Sequence, residues 1–178
     1  MKALLIADMI NDFVTGSLKC ERAQRIIPNI KKLADFCRSK GIPIIYLNDQ
    51  HLKVDKELDL WGEHAMAGTK GGEVIPELKV QERDYVVPKR RYSGFFATGL
   101  DLLLRELCVN EIIITGLLTN LCVLHTAADA YFREFDIIVP EDGVEALTQE
   151  DQESALRYMG RFYGARVLKT DELIEELN

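Results

Sequence analysis

The sequence is poor in the features that mark several large protein classes. It has four cysteines in 178 residues, Cys20, Cys37, Cys108 and Cys122, and no two of them form a C-x-x-C pair. Neither a disulfide framework nor a thiolate zinc knot is expected, so each thiol is judged alone. Basic residues are outnumbered, 22 Lys and Arg against 29 Asp and Glu, for a formal charge of -7. Binding to a phosphate backbone depends on clustered cations, which speaks against a nucleic-acid partner. No apolar run reaches the ~18 residues needed to cross a bilayer, so no membrane partner is expected. The opening "MKALLIAD" has only a short apolar run before Asp8, too short for a secretory signal, and the expected location is cytoplasmic. There is no G-x-S-x-G elbow for a serine hydrolase, and no internal repeat or low-complexity tract. Histidine is scarce as well: His51, His64 and His125 are the whole supply.

What remains is an alternation of short apolar runs with longer helical patterns. The runs at 3–8, 42–48, 84–89, 111–116, 135–140 and 165–169 read as six strands. Helix-like stretches lie at about 21–40, 98–109, 119–133, 149–163 and from 170 onward. Strands that are apolar throughout and separated by helices predict a parallel sheet covered on both faces. The expected fold is a three-layer α/β/α sandwich around a six-stranded parallel sheet, a single domain over 1–178, with 47% hydrophobic residues to build its core. The stretch 49–83 breaks the pattern, being charged, glycine-containing and longer than an ordinary connection, which is typical of functional insertions.

In open parallel sheets ligands bind beyond the carboxyl ends of the strands. That rule singles out Asp8 after the first run, Lys89 after the third and Cys122 after the fourth. Each has a plain alternative: a turn aspartate, a solvated lysine, a small core residue. Together they read as a nucleophile with an acid-base partner and a cation. A thiol in the first turn of a helix meets the positive end of the macrodipole, which predicts a lowered thiol pKa, with Thr119 or Asn120 as the cap. His125 lies three residues beyond Cys122 and is a second possible base, but it has no evident acid to orient it. Asp8 as base with Lys89 stabilising charge is the more economical arrangement.

These blocks carry a resemblance. "LLIADMINDF", "PKRRYSGFFATGLDLLLRE" and "ITGLLTNLCVLHTAADAY" resemble, in order, three motif blocks of the isochorismatase-like cysteine hydrolases, the family of nicotinamidases and N-carbamoylsarcosine amidases. The resemblance spans essentially the whole chain and implies a Rossmann-like isochorismatase fold with catalytic Asp8, Lys89 and Cys122. It further implies a cis peptide at Leu117–Leu118 that turns the backbone N–H of Leu118 inward beside that of Cys122, as an oxyanion hole. Ile10 stands where the family opening often has glutamine, which removes a polar contact at the pocket edge.

The insertion contains "NDQHLKVDKELDLWGEH". Residues two apart in an extended segment face the same way, so Asp49 and His51 could share a ligand and His64 could close the site. On composition alone a solvated acidic loop is the competing reading. The resemblance implies instead a divalent metal, zinc before manganese or iron, held by Asp49, His51 and His64. Glu57, seven residues before His64, is a fourth ligand by family spacing, with Asp55 and Asp59 as neighbouring competitors. Phe13, Trp61 and Tyr92 correspond to aromatic walls for a flat substrate, although core packing, loop anchoring and a structural role are the respective alternatives. The resemblance therefore implies hydrolysis of a small-molecule amide, of nicotinamide to nicotinate and ammonia or of an N-carbamoyl compound, by a homo-oligomer. A flavodoxin-like binding module is the competing non-enzyme reading, disfavoured because "DMINDF" puts carboxylates where a flavin phosphate would sit.

Overall fold

The structure, a computed structural model, describes residues 1–178. Strands β1 (Lys2–Ala7), β2 (Ile44–Asp49), β3 (Tyr85–Lys89), β4 (Glu111–Leu117), β5 (Asp136–Pro140), β6 (Val144–Glu145) and β7 (Arg166–Leu168) all pair in parallel. Their order is β3-β2-β1-β4-β5-β7, with β6 continuing alongside β4. The six expected strands form this ordered parallel path, and β6 adds a seventh off it. β6 is only two residues long and follows a turn directly after β5, so it leaves no separate apolar run to read.

Side chains that alternate along each strand divide the core in two. Leu5, Ile45, Leu47, Ile112 and Ile114 face one layer of helices, α4 (Leu100–Glu106), α5 (Leu124–Phe132) and α6 (Gln149–Tyr163). Leu4, Ile6, Ile44, Tyr46 and Ile113 face the other, α2 (Ile27–Ser39) and α7 (Thr170–Leu177). On α2 the buried positions Ile30, Leu33, Ala34 and Cys37 follow the helical period, so one stripe meets the sheet and the lysines point outward. The Thr148 hydroxyl accepts the Asp151 N–H to start α6, and Gly164 ends it in the left-handed region at φ 64°.

The chain reverses direction across the sheet at β1, whose neighbours β2 and β4 lead to opposite edges. A crevice forms outside such a switch point, at the carboxyl ends of the strands. β1 and β4 approach closely there, because Gly116 pairs with Ala7 and a Cβ on Gly116 would lie 1.9 Å from the Ala7 carbonyl oxygen. The insertion after β2 carries one short helix, α3 (Glu57–Trp61), and two single turns of 3-10 helix at Lys70–Gly72 and Pro76–Leu78. The first short helix of the chain, α1 (Asn11–Val14), follows β1 directly. No helix is long and apolar enough to cross a membrane.

Candidate active site

The carboxyl ends of β1, β2, β3 and β4 deliver four groups to one point. Asp8 follows β1 with φ 55°, a left-handed turn that leads the chain out of the sheet. Its Oδ1 accepts the Asp49 backbone N–H at 2.8 Å, tying β1 to the end of β2. Lys89, the last residue of β3, is buried, and its Nζ lies 2.7 Å from Asp8 Oδ2, 2.6 Å from Asp49 Oδ1 and 3.4 Å from Cys122 Sγ. The contact to Asp8 is an ion pair without the alignment of a hydrogen bond. The Cys122 sulfur and one oxygen of each carboxylate all lie within 4.8 Å of one another. Three side chains far apart in sequence therefore meet, as the strand-end rule predicted.

Cys122 sits in a π-helical turn, Thr119–Val123, that leads into α5. The expected side-chain cap is absent, since Leu118 occupies the cap position and the Thr119 hydroxyl donates to Gln152 Oε1. The expected lowering of the thiol pKa is also overturned. Burial pushes the Cys122 thiol well up, Lys89 opposes this, and the two carboxylates add to it. At rest the sulfur keeps its proton. Burial, and then the Asp49 charge, raise Asp8 to about 6 against the pull of Lys89. Asp49 goes the other way: burial would raise it, but Lys89 holds it below its usual value. Lys89 itself stays charged, because the carboxylates outweigh the burial that opposes its charge. His125 is outside this group; its Nδ1 donates to the Leu121 carbonyl and its ring lies against Tyr92. The Leu117–Leu118 peptide is cis, and the Leu118 N–H donates to no acceptor in the protein.

Beside this group lies a second one. Asp49, His51 and His64 bring ligand atoms within 4.8 Å of one another, all three side chains buried. His51 Nδ1 is 3.1 Å from Asp55 Oδ2 and His64 Nδ1 is 2.8 Å from the Gly62 carbonyl oxygen, so both rings use Nδ1 in the protein. His51 Nε2 has no hydrogen-bond partner, lying 3.6 Å from Asp49 Oδ2 and 3.8 Å from Glu57 Oε2. A buried imidazole nitrogen left unpaired among two carboxylates and a second histidine is the donor set of a divalent metal, and these residues fit one. Glu57 stands at the edge of the set, at the start of α3, its carboxyl raised by burial and by Asp49. Asp59 is not part of it. Asp55 is close, but it faces the far side of His51.

Both groups border a pocket of about 300 Å3. Phe13 from α1, Trp61 from α3 and Tyr92 beyond β3 supply its aromatic walls, and Leu118, Leu121 and Cys122 also line it. Trp61 Nε1 donates to the Tyr92 hydroxyl at 2.9 Å, and Phe13 lies 5.7 Å from the His64 ring. The sequence did not single out Leu121 or Leu147, pocket-lining residues of a kind that apolar periodicity assigns to the core.

A parallel α/β sheet with a buried thiol, a carboxylate and a lysine gathered at the strand ends is the arrangement of a hydrolase class. The isochorismatase domain family matches residues 2–172, and the chain belongs to that family of hydrolases. Among solved structures it is similar to an N-carbamoylsarcosine amidase from Thermoplasma acidophilum, at 39% identity and TM-score 0.90 over 96% of each chain. It is also similar to the nicotinamidase PncA from Bacillus subtilis, at 34% identity and TM-score 0.89 over 94% of this chain and 99% of that one. A pyrazinamidase of Pyrococcus horikoshii solved in complex with zinc is 28% identical, with TM-score 0.87 over 94% and 98%.

Proposed function

We propose that the protein is a cysteine amidohydrolase that cleaves nicotinamide to nicotinate and ammonia, acting on a small substrate bound in the aromatic pocket. The observation that carries this reading is the position of Lys89 Nζ, in contact with both the Asp8 carboxylate and the Cys122 sulfur. Asp8 takes the Cys122 proton, and the sulfur attacks the amide carbonyl carbon. The developing oxyanion takes hydrogen bonds from the Leu118 and Cys122 backbone N–H groups. Asp8 then gives its proton to the amide nitrogen as the C–N bond breaks, releasing ammonia and leaving a thioester on Cys122. A water molecule, deprotonated by Asp8, attacks the thioester; carboxylic acid leaves and the sulfur recovers its proton. Lys89 stays charged throughout and keeps the two carboxylates apart from each other electrically.

Asp49, His51 and His64, with Glu57 at the edge, would hold a divalent metal, zinc by analogy with the pyrazinamidase complex. When bound it would offer a Lewis-acid site for a pyridine nitrogen. Phe13, Trp61 and His64 line the same pocket, with the Phe13 and His64 rings 5.7 Å apart, and these aromatic walls support a flat aromatic substrate over an aliphatic one.

The second reading, an N-carbamoyl amidase, draws on the 39% identity to the Thermoplasma protein, above that to the nicotinamidase. Ammonia release from nicotinamide and from N-carbamoylsarcosine, each with and without chelator, separates the two. Nicotinamide turnover that weakens with chelator supports the first. Turnover of the carbamoyl compound alone, unaffected by chelator, replaces it with the second. Cys122→Ala abolishes either activity with the fold intact; activity near wild type refutes the nucleophile.

A further inference from the structure

Asp55 lies four residues after His51 in the insertion, and its carboxylate is buried. Three groups hydrogen-bond to it, and the Arg91 guanidinium lies 3.7 Å from Oδ1. The Leu52 backbone N–H donates to Oδ2 at 3.0 Å, which closes the turn that carries His51. His51 Nδ1 lies 3.1 Å from the same oxygen. The Arg90 guanidinium grips the carboxylate from the other side, Nε donating at 3.0 Å to Oδ1 and 3.1 Å to Oδ2, with Nη2 in close contact to Oδ1. Arg90 directly follows Lys89, so the end of β3 both places the lysine against Asp8, Asp49 and Cys122 and, through Asp55, holds the neighbouring histidine.

A carboxylate can only accept a hydrogen bond, so His51 must carry its proton on Nδ1. That leaves the buried, unpaired Nε2 bare and directed at Asp49 and Glu57. We infer that Asp55, clamped by Arg90, is a positioning residue that holds His51 in the Nδ1–H tautomer and presents Nε2 to a divalent cation. The inference rests on the metal-binding reading of Asp49, His51 and His64. A hydrogen-bonded carboxylate behind a ligating imidazole both orients the ring and raises its basicity, and losing such a partner typically weakens metal binding about 10- to 100-fold.

The test uses purified full-length protein, metal-free and then titrated with Zn2+ against a chromophoric chelator. Wild type is expected to bind one equivalent, Asp55→Ala about 10- to 100-fold more weakly, and Asp55→Asn in between, since an amide oxygen keeps the acceptor and the turn but loses the charge. Arg90→Ala, which leaves Asp55 in place with only the more distant Arg91 guanidinium as its cation, is expected to weaken binding less than Asp55→Ala. Imidazole 15N spectra of the metal-free proteins read the tautomer directly: Nδ1–H for His51 in wild type, and Nε2–H or a mixture in Asp55→Ala. A purely structural Asp55 would lower the melting temperature of the metal-free protein yet leave the tautomer unchanged and the affinity within twofold, and that result overturns the inference. If Asp55→Ala does not fold, Asp55→Asn and Arg90→Ala carry the same comparison. Failure of the wild type to bind Zn2+ sinks the metal reading itself, whereas tight binding by every variant sinks only the role of Asp55.

Discussion

Replacing Lys89 with methionine keeps most of the stem volume but removes the ammonium from between two carboxylates. In wild type Nζ lies 2.7 Å from Asp8 and 2.6 Å from Asp49, all three side chains buried. Removing one partner of a buried ion pair costs about 3–5 kcal/mol, because the remaining charge stays out of water. For a chain of this length each kcal/mol moves the midpoint by roughly 2–4 °C, so metal-free Lys89→Met is expected to melt roughly 6–20 °C below wild type. The deficit depends on pH, with a definite sign. Without Lys89 the pair retains a proton that the unfolded chain, with ordinary aspartates, releases. The folded state then binds more protons, and its stability falls as pH rises, by up to about 1.4 kcal/mol per pH unit for one retained proton. In wild type Lys89 is charged across this range, its pKa being raised well above normal, so its contribution is lost only at higher pH. Thermal melts in chelator at pH 5.5 and 8.5 should therefore show a gap between variant and wild type that widens with pH. A variant melting within 2 °C of wild type at both values would refute the reasoning, since it would mean the carboxylates do not depend on that charge. Turnover should fall with it by at least about 100-fold, because a protonated Asp8 is no base.

Three further outcomes are expected. Alkylation of Cys122 by iodoacetamide in metal-free protein, followed by peptide mass spectrometry, should slow as pH falls through about 6, where Asp8 takes up its proton, and the limb should vanish in Asp8→Asn; Cys37, buried and raised to about 12, should stay unlabelled at neutral pH. Gly116→Ala combines φ 107° with a Cβ 1.9 Å from the Ala7 carbonyl oxygen, so it should cost about 3 kcal/mol or more in denaturant melts; a stable variant would show that β1 and β4 can separate freely. Thr148→Ala removes the α6 cap and should cost about 1 kcal/mol with turnover unchanged.

Much of the fold was legible because six apolar runs and their intervening helices follow simple periods. The limits are local. Tyr85 and Val86 are half-exposed on β3, the edge strand, although their run reads as buried on both faces. The helix expected over 98–109 is confined to Leu100–Glu106, because the preceding Ser93 and Thr98 hydroxyls bind backbone and side-chain groups in an irregular turn. The meeting of Asp8, Lys89 and Cys122 was legible because each lies at or just beyond the carboxyl end of a parallel strand, β1, β3 and β4. The thiol pKa was not: a helix-terminus argument holds for an exposed thiol, whereas here burial and two nearby carboxylates outweigh it. Asp55 was visible only as a competitor to Glu57. The i, i+4 spacing from His51 was the available signal, but Arg90, 35 residues further on, is what gives that spacing its meaning.

Lys89 has one more effect. In the proposed reaction the group of Lys89, Asp8, Asp49 and a neutral thiol starts with a total charge of -1, and after sulfur gives its proton to Asp8 the total is still -1. Negative charge has merely hopped a few ångströms, from oxygen to sulfur, within reach of the same ammonium. The apolar walls around it never have to accommodate a new ion, so an enclosed hydrocarbon-lined chamber can generate a strong nucleophile without reorganising itself.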